Sequence, residues 1–241
     1  YGAVSQRCRA QGHQTTPEQA LGEAWLRRTD ETLAFYRAVR DRHLPGKPFW
    51  NTETGETACG GNPWAGEFID TFRYLDQLGR LARQDVKVVL HNTLIASDYS
   101  LLDENDFTPK PSYWGALLWA RLMGTRVLNA GVPIAEGRHV YAHCLKGTPG
   151  GVALLAINNG AQAVTLDLGS GAREAQLWQL TAPTLRSRSV LLTGPPLALT
   201  DDGQIPATPS QPLAAGATPL PAHSISFLAL PRAGNAACRV G

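Results

Sequence analysis

This chain of 241 residues has no long apolar run. None approaches the ~20 consecutive apolar residues of a membrane-spanning helix, so no membrane span is expected. Methionine is nearly missing too: Met123 is the only one, and the chain opens on Tyr1. Neither a start residue nor a signal peptide is legible, and the opening residues read as the middle of a longer or processed polypeptide. There is no excess of one charge sign. Lys and Arg number 22 against 20 Asp and Glu, a net +2. That balance builds no field for nucleic acid or an anionic membrane, so neither is an expected partner. The one dense basic group, Arg37, Arg40, Arg42 and His43, reads as a solvated helix end, where cations suit the dipole. Cys8, Cys59, Cys144 and Cys238 lack CxxC spacing, which argues against a zinc site. No metal and no cofactor is expected. The even cysteine number permits two disulfides, and with them an oxidising, secreted or periplasmic setting.

What is present is enough apolar residue for a large core: 43% hydrophobic against 17% charged. The first half alternates helix-like and strand-like stretches. Thr16-Pro17-Glu18 predicts a helix start, and the helix carries Leu26, Leu33, Tyr36 and Val39 toward a core before Pro45-Gly46. A short buried strand follows from Pro48 to Thr52. A second helix opens near Pro63 and spaces Trp64, Phe68, Phe72, Leu75, Leu78 and Leu81 by threes and fours. On it, Glu67, Asp70 and Asp76 are expected to face outward or cap. "VKVVL", Val86 to Leu90, is a second buried strand, and a third helix runs from Tyr113 to Met123. Short apolar strands between helices imply parallel βα units.

From about Val132 the pattern changes. "HVYAHCL", "GVALLAINN", "AVTLDLG", "EAQLWQLT", "SVLLTG" and "SISFLAL" are short strand-like runs separated by turn residues. They predict an antiparallel β-sandwich over 132–241 after the C-terminal part of a (β/α)8 TIM barrel over 1–131. The Pro-rich stretch from Ile205 to Pro221 is expected to be an irregular surface connection.

A parallel barrel carries its chemistry at the C-terminal strand ends. Glu53 ends the first strand, and His91 and Asn92 end the next. A carboxylate, an imidazole and an amide thus share one mouth, with Trp50 as nearby aromatic surface. That arrangement suits sugar chemistry. The bland alternatives are that Glu53 caps the following helix or pairs with an arginine, and that His91 and Asn92 bond loop backbone.

The segments "PGKPFWNTETGETACGGNPW", "VKVVLHNTLIASDYSLLDEN" and "PKPSYWGALLWARLMGTRVL", with "HVYAHC" and the terminal "NAACRV", resemble glycoside hydrolase family 79. That family includes heparanase and microbial β-glucuronidases. The resemblance implies a retaining glycosidase acting on β-linked glucuronic acid in a glycoside or polysaccharide. Glu53 aligns with the family's nucleophile, which attacks the anomeric carbon and leaves as a glycosyl ester. Gly60 and Gly61 match glycines whose backbone N–H groups bind the sugar carboxylate, and Tyr99 matches a tyrosine whose hydroxyl does the same. Asn92 matches a polar position near the sugar. Tyr1 matches a tyrosine beside the nucleophile. Cys144 and Cys238 match a disulfide tying the last segment to the sandwich. Cys8 and Cys59 both fall on loops at the active-site side, where a second disulfide is expected to hold the Gly60-Gly61 loop, with two free thiols as the alternative; heparanase has tyrosine at the Cys59 position.

A retaining enzyme needs a second carboxyl group as acid/base. The family's Asn-Glu-Pro-type motif is absent, and Glu56, three residues along a loop from Glu53, is a poor substitute. The chain therefore reads as the nucleophile half of such an enzyme, inactive alone, whose first five or so strands lie elsewhere. A missing N-terminal half is then the expected protein partner. Two other readings remain open. One is a non-catalytic uronate-binding fragment, and the other is a different barrel-plus-sandwich glycosidase such as an arabinofuranosidase.

Overall fold

The computed structural model describes residues 5, 8, 14–169, 172–214 and 216–239. Thr16 to Gly22 form a run of turns closed by Gln19 N–H to Thr16 O and Gly22 N–H to Gln19 O. The helix expected at Thr16 thus begins later, as α1 (Glu23–Leu26) and α2 (Arg28–His43). Strand β1 (Phe49–Thr54) follows, then a 3-10 turn (Pro63–Gly66), helix α3 (Phe68–Arg83), strand β2 (Val86–His91) and helix α4 (Pro111–Leu122). β1 and β2 pair in parallel, with Phe49 opposite Val86 and Thr54 opposite His91. This register brings the two strand ends together. The described residues form no closed barrel.

Nine further strands follow: β3 (Met123–Leu128), β4 (His139–Leu145), β5 (Val152–Asn158), β6 (Val164–Asp167), β7 (Ala175–Thr181), β8 (Leu191–Leu192), β9 (Gln211–Leu213), β10 (Ala217–Leu220) and β11 (Ser224–Leu230). Antiparallel pairing orders one sheet β3-β4-β5-β11-β7-β8, with β9 also on β7, while β6 pairs with β10. Two short strands, β9 and β10, therefore lie inside the Pro-rich stretch expected to be irregular. Pro212 sits on the short β9, and Pro219 on the short β6–β10 ribbon, settings where a lost ladder N–H is tolerated.

The alternation of the sheet strands sorts their side chains by face. Tyr141, Leu155, Ile157, Ile225 and Phe227 join Phe68, Phe72, Leu75, Trp114 and Leu118 of the helices in the main core. Val140, Ala156 and Leu228 turn the other way and meet Leu166 and Leu220 of the β6–β10 ribbon. A disulfide joins Cys144 on β4 to Cys238 near the end of the chain. It closes a long loop and by chain entropy stabilises by a few kcal/mol, about 3 to 5.

Three expectations need correction. Tyr36 and Val39 are exposed, because α2 packs only along its Leu33 line against Leu81 and Val86. β1 and β2 are only partly buried, since β1 has β2 as its sole strand neighbour among the described residues. Asp70 and Asp76 are buried rather than outward-facing, because α3 has the sheet on one side and α2 and the β1–β2 pair on the other. Each is satisfied within the helix. Arg73 Nε and Nη2 reach Asp70 at 2.6 and 2.8 Å, and Arg80 Nε reaches Asp76 at 2.6 Å.

Asp76 is the hub. It also accepts from the Tyr141 hydroxyl and lies 2.6 Å from His139 Nδ1, both on β4. Arg80 extends the network to Glu23 and Asp30. Burial alone would raise the Asp76 carboxyl, but His139, Arg80 and Tyr141 outweigh it and hold it below the ordinary carboxylate range. A depressed carboxylate contributes stability above its unfolded value, near 3.9, and loses it as pH falls through the lower folded value. Asp76→Ala is expected to cost about 2 to 3 kcal/mol, since it removes the buried acceptor of His139 and Tyr141 while Arg80 keeps Glu23 and Asp30. Urea unfolding at several pH values checks both points. The wild type should lose stability below about pH 4, and the variant should lack that part of the acid loss.

Candidate active site

The site grows from the register of β1 and β2. Glu53 is the penultimate residue of β1 and is exposed. Asn92 follows the last residue of β2; its backbone N–H reaches Thr54 O at 2.7 Å and its Nδ2 reaches Glu53 Oε1 at 3.0 Å. The amide thus donates to the carboxylate and ties the two strand ends together. Beneath them Thr54 is buried and bonds Gln77 of α3 at 3.1 Å. A cavity of about 400 Å³ runs past Glu53, with Trp25, Arg28, Trp50, Arg73 and Gln77 among its walls.

The loop after β1 turns sharply. Cys59, Gly60 and Gly61 have φ of 67°, 83° and 89°, the left-handed region that glycine enters without strain. Cys59 is disulfide-bonded to Cys8, so the two-thiol alternative falls. Ser5 adds its N–H to Ala58 O at 3.0 Å and its hydroxyl to Cys59 O at 3.1 Å. The loop after β2 comes back against it: Asp98 N–H donates to Gly60 O at 2.9 Å. Tyr99 is buried beside Gly61, where a Cβ would lie 2.7 Å from the tyrosine ring. The structure therefore gathers Gly60, Gly61 and Tyr99 in one place, and Asn92 with Glu53 in another at the adjoining strand ends. Tyr1 lies outside the described residues.

His91 anchors the Tyr99 loop instead of facing the mouth. Its Nε2 is 2.9 Å from Tyr99 O, and the rings of Tyr74 and Tyr99 stand edge-on to it at 4.8 and 6.1 Å. Burial and then the Arg73 charge push its pKa down to about 4, so the imidazole is neutral above pH 5. A neutral ring can donate one proton to the carbonyl, which is the loop-bonding alternative weighed for it.

Three supporting residues escaped sequence reasoning. Lys110 Nζ bonds Ser97 O, Asp98 O and Ser100 Oγ at 3.1, 3.2 and 2.8 Å, pinning the Tyr99 loop. A lysine between two prolines carries no signal of that. Arg73 sits buried between Asp70 and the cavity, and its i,i+3 spacing from Asp70 was the available clue. Glu56 is fully buried and bonds Asn62 and Thr57, so it offers nothing to a leaving group.

No protein-family model matches the chain. Heparanase of Gallus gallus is 37% identical over 247 residues, spanning 94% of this chain and 46% of its own length. The chain belongs to the heparanase-like family. It spans about half the length of the heparanase it matches. Baicalin-beta-D-glucuronidase of Scutellaria baicalensis is 34% identical over 164 residues, 66% of this chain and 31% of the enzyme. A 4-O-alpha-L-rhamnosyl-beta-D-glucuronidase structure from Fusarium oxysporum 12S matches with a TM-score of 0.62 at 17% identity, over 90% of this chain and 50% of that one. That likeness bears on fold alone.

Two measurements check the geometry of this heparanase-like chain. In an NMR titration the His91 ring should stay neutral until pH nears 4. Stability tied to it should be full above its unfolded value of about 6.5 and fall as pH drops toward 4, because the unfolded chain then binds the extra proton. Gly61→Ala should displace Tyr99, since both the positive φ and the ring oppose a Cβ. The Tyr99 ring resonances should shift while those of the distant sheet stay in place.

Proposed function

We propose that this chain supplies the nucleophile half of a retaining glycoside hydrolase that acts on β-linked glucuronic acid. Glu53 attacks the anomeric carbon; the glycosidic bond breaks and a glycosyl ester forms on Glu53. Water then cleaves that ester, releasing the sugar with net retention. The observation that carries the reading is the Asn92-to-Glu53 hydrogen bond at the paired strand ends. It ties the Glu53 carboxylate to the end of the neighbouring strand, beside a sugar-sized cavity.

Gly60, Gly61 and Tyr99 take the sugar's C6 carboxylate, with Asn92 near the ring. Backbone N–H groups at a glycine turn can donate to an anion without a large basic field, and Gly60 and Gly61 supply such a turn. The names of the relatives, heparanase and a β-D-glucuronidase, fit a glucuronide substrate. On this reading residues 1–131 carry the last part of a (β/α)8 barrel and 132–241 its β-sandwich, whose sheet also takes in β3. The edge of β1 that has no strand partner among the described residues is where an earlier strand pairs, and the acid/base carboxyl comes from that missing portion. The two disulfides suit a secreted or periplasmic enzyme.

A second reading, uronate binding without hydrolysis, is favoured by one observation. Among the described residues the other carboxylate at the cavity wall, Glu56, is already bonded to Asn62. Turnover of an aryl β-glucuronide tests both. The isolated chain should show negligible turnover, and turnover should appear when the acid-bearing half is supplied and vanish in Glu53→Gln. Robust turnover by the isolated chain would contradict the split site. No turnover in the complemented enzyme would favour the binding role.

A further inference from the structure

The loop from Glu56 to Asn62 carries Cys59, Gly60 and Gly61 at its apex. Its two ends are joined by one side chain. Glu56 Oε2 accepts the Asn62 backbone N–H at 2.9 Å and the Thr57 hydroxyl at 2.8 Å, while Oε1 accepts from Asn62 Nδ2 at 2.9 Å. Three donors converge on a carboxylate that is 1% exposed. Asn62 O in turn accepts Ala65 N–H at 2.9 Å, which seats the loop on the 3-10 turn. The clasp is therefore continuous from the end of β1 to the start of α3.

This placement is costly. Burial, and then the neighbouring Asp70 charge, raise the Glu56 carboxyl above its ordinary range. An apolar side chain would avoid that cost but would leave a buried backbone N–H and a side-chain amide without acceptors. What the clasp holds is specific. Among the described residues, the Gly60 and Gly61 N–H groups donate to no backbone acceptor. On the uronate reading they are the donors that meet the sugar carboxylate.

We propose that Glu56 is a positioning residue: its carboxylate fixes the Glu56–Asn62 loop so that the Gly60 and Gly61 N–H groups are preset for an anionic sugar substituent. Selectivity for uronides over neutral sugars then depends on a side chain that never touches the sugar. This rests on the uronate reading above. The chemistry is preorganisation: a loop already in its bound shape loses less freedom on binding. The benefit goes to the ligand that uses those N–H groups and not to one that lacks a carboxylate.

The test is a titration of the 241-residue chain with D-glucuronate and with D-glucose, followed by NMR, alongside amide exchange at Asn62. Wild type should prefer glucuronate. Glu56→Ala should weaken glucuronate about tenfold or more, the scale of one buried hydrogen bond lost. It should leave glucose unchanged and speed Asn62 exchange by a similar factor. Glu56→Gln should retain the preference within about threefold, because its amide oxygen can take the Asn62 N–H and a flipped Asn62 can accept from its amide nitrogen. Asn62→Ala, which removes the Oε1 bond but keeps the backbone N–H bond to Oε2, should fall between, and it decides the matter if Glu56→Ala does not fold. An unchanged preference in the folded Ala variants overturns the clasp and leaves the uronate reading standing. Loss of preference in a folded Glu56→Gln also overturns it, since charge and not geometry would then be responsible. No preference in wild type overturns the uronate reading, and the clasp with it.

Discussion

Helix α3 is buried along most of its surface, and four of its five charged side chains are buried with it. That constraint organises the molecule. A helix with one wet face can send its charges to solvent; α3 cannot, so Asp70 pairs with Arg73 and Asp76 with Arg80 inside the protein. Breaking such a pair costs far more than an exposed one, because the surviving charge stays buried. The Asp76 end reaches His139 and Tyr141 and so fixes the sheet against the helix. Gly79 lets the contact close: a Cβ there would meet the Tyr141 ring at 2.4 Å.

The other end of α3 lies beneath the candidate site. Gln77 bonds Thr54, next to Glu53, and the Arg73 charge helps keep His91 neutral. His91 then holds the Tyr99 carbonyl, and Glu56, beside Asp70 and Arg73, holds the Gly60-Gly61 loop. The two loops meet through Asp98 and Gly60. The residues proposed to touch sugar are thus few and near the surface, while those that aim them are buried and charged. Such a division lets a chain of nearly neutral net charge recognise an anion through local donors.

How much of this was legible depended on how local each signal was. The strands of the large sheet announced themselves by period-two alternation, and the apolar face of α3 by its spacing of threes and fours. Glu53 and Asn92 could be placed because strand ends can be read from where apolar runs stop. Asp70 and Asp76 could not be placed, since a carboxylate on a helix looks the same whether it faces water or a buried arginine. Tyr36 and Val39 misled for the opposite reason: an apolar helix face implies a partner but does not say where it is. Lys110 and Glu56 were illegible because their partners are loop groups, backbone and side chain, brought near only by the turn of a loop.

The central claim is that Glu53 is the group that bonds the sugar. A 2-deoxy-2-fluoro-glucuronosyl fluoride tests it most directly, since fluoride departs without a protonating carboxyl and the fluorine at C2 slows release of the ester. Intact-mass analysis of the labelled chain, followed by peptide mapping, reads the outcome. The account predicts one adduct on the peptide containing Glu53 and none in Glu53→Gln. An adduct on another carboxylate, or labelling that persists in Glu53→Gln, would contradict it.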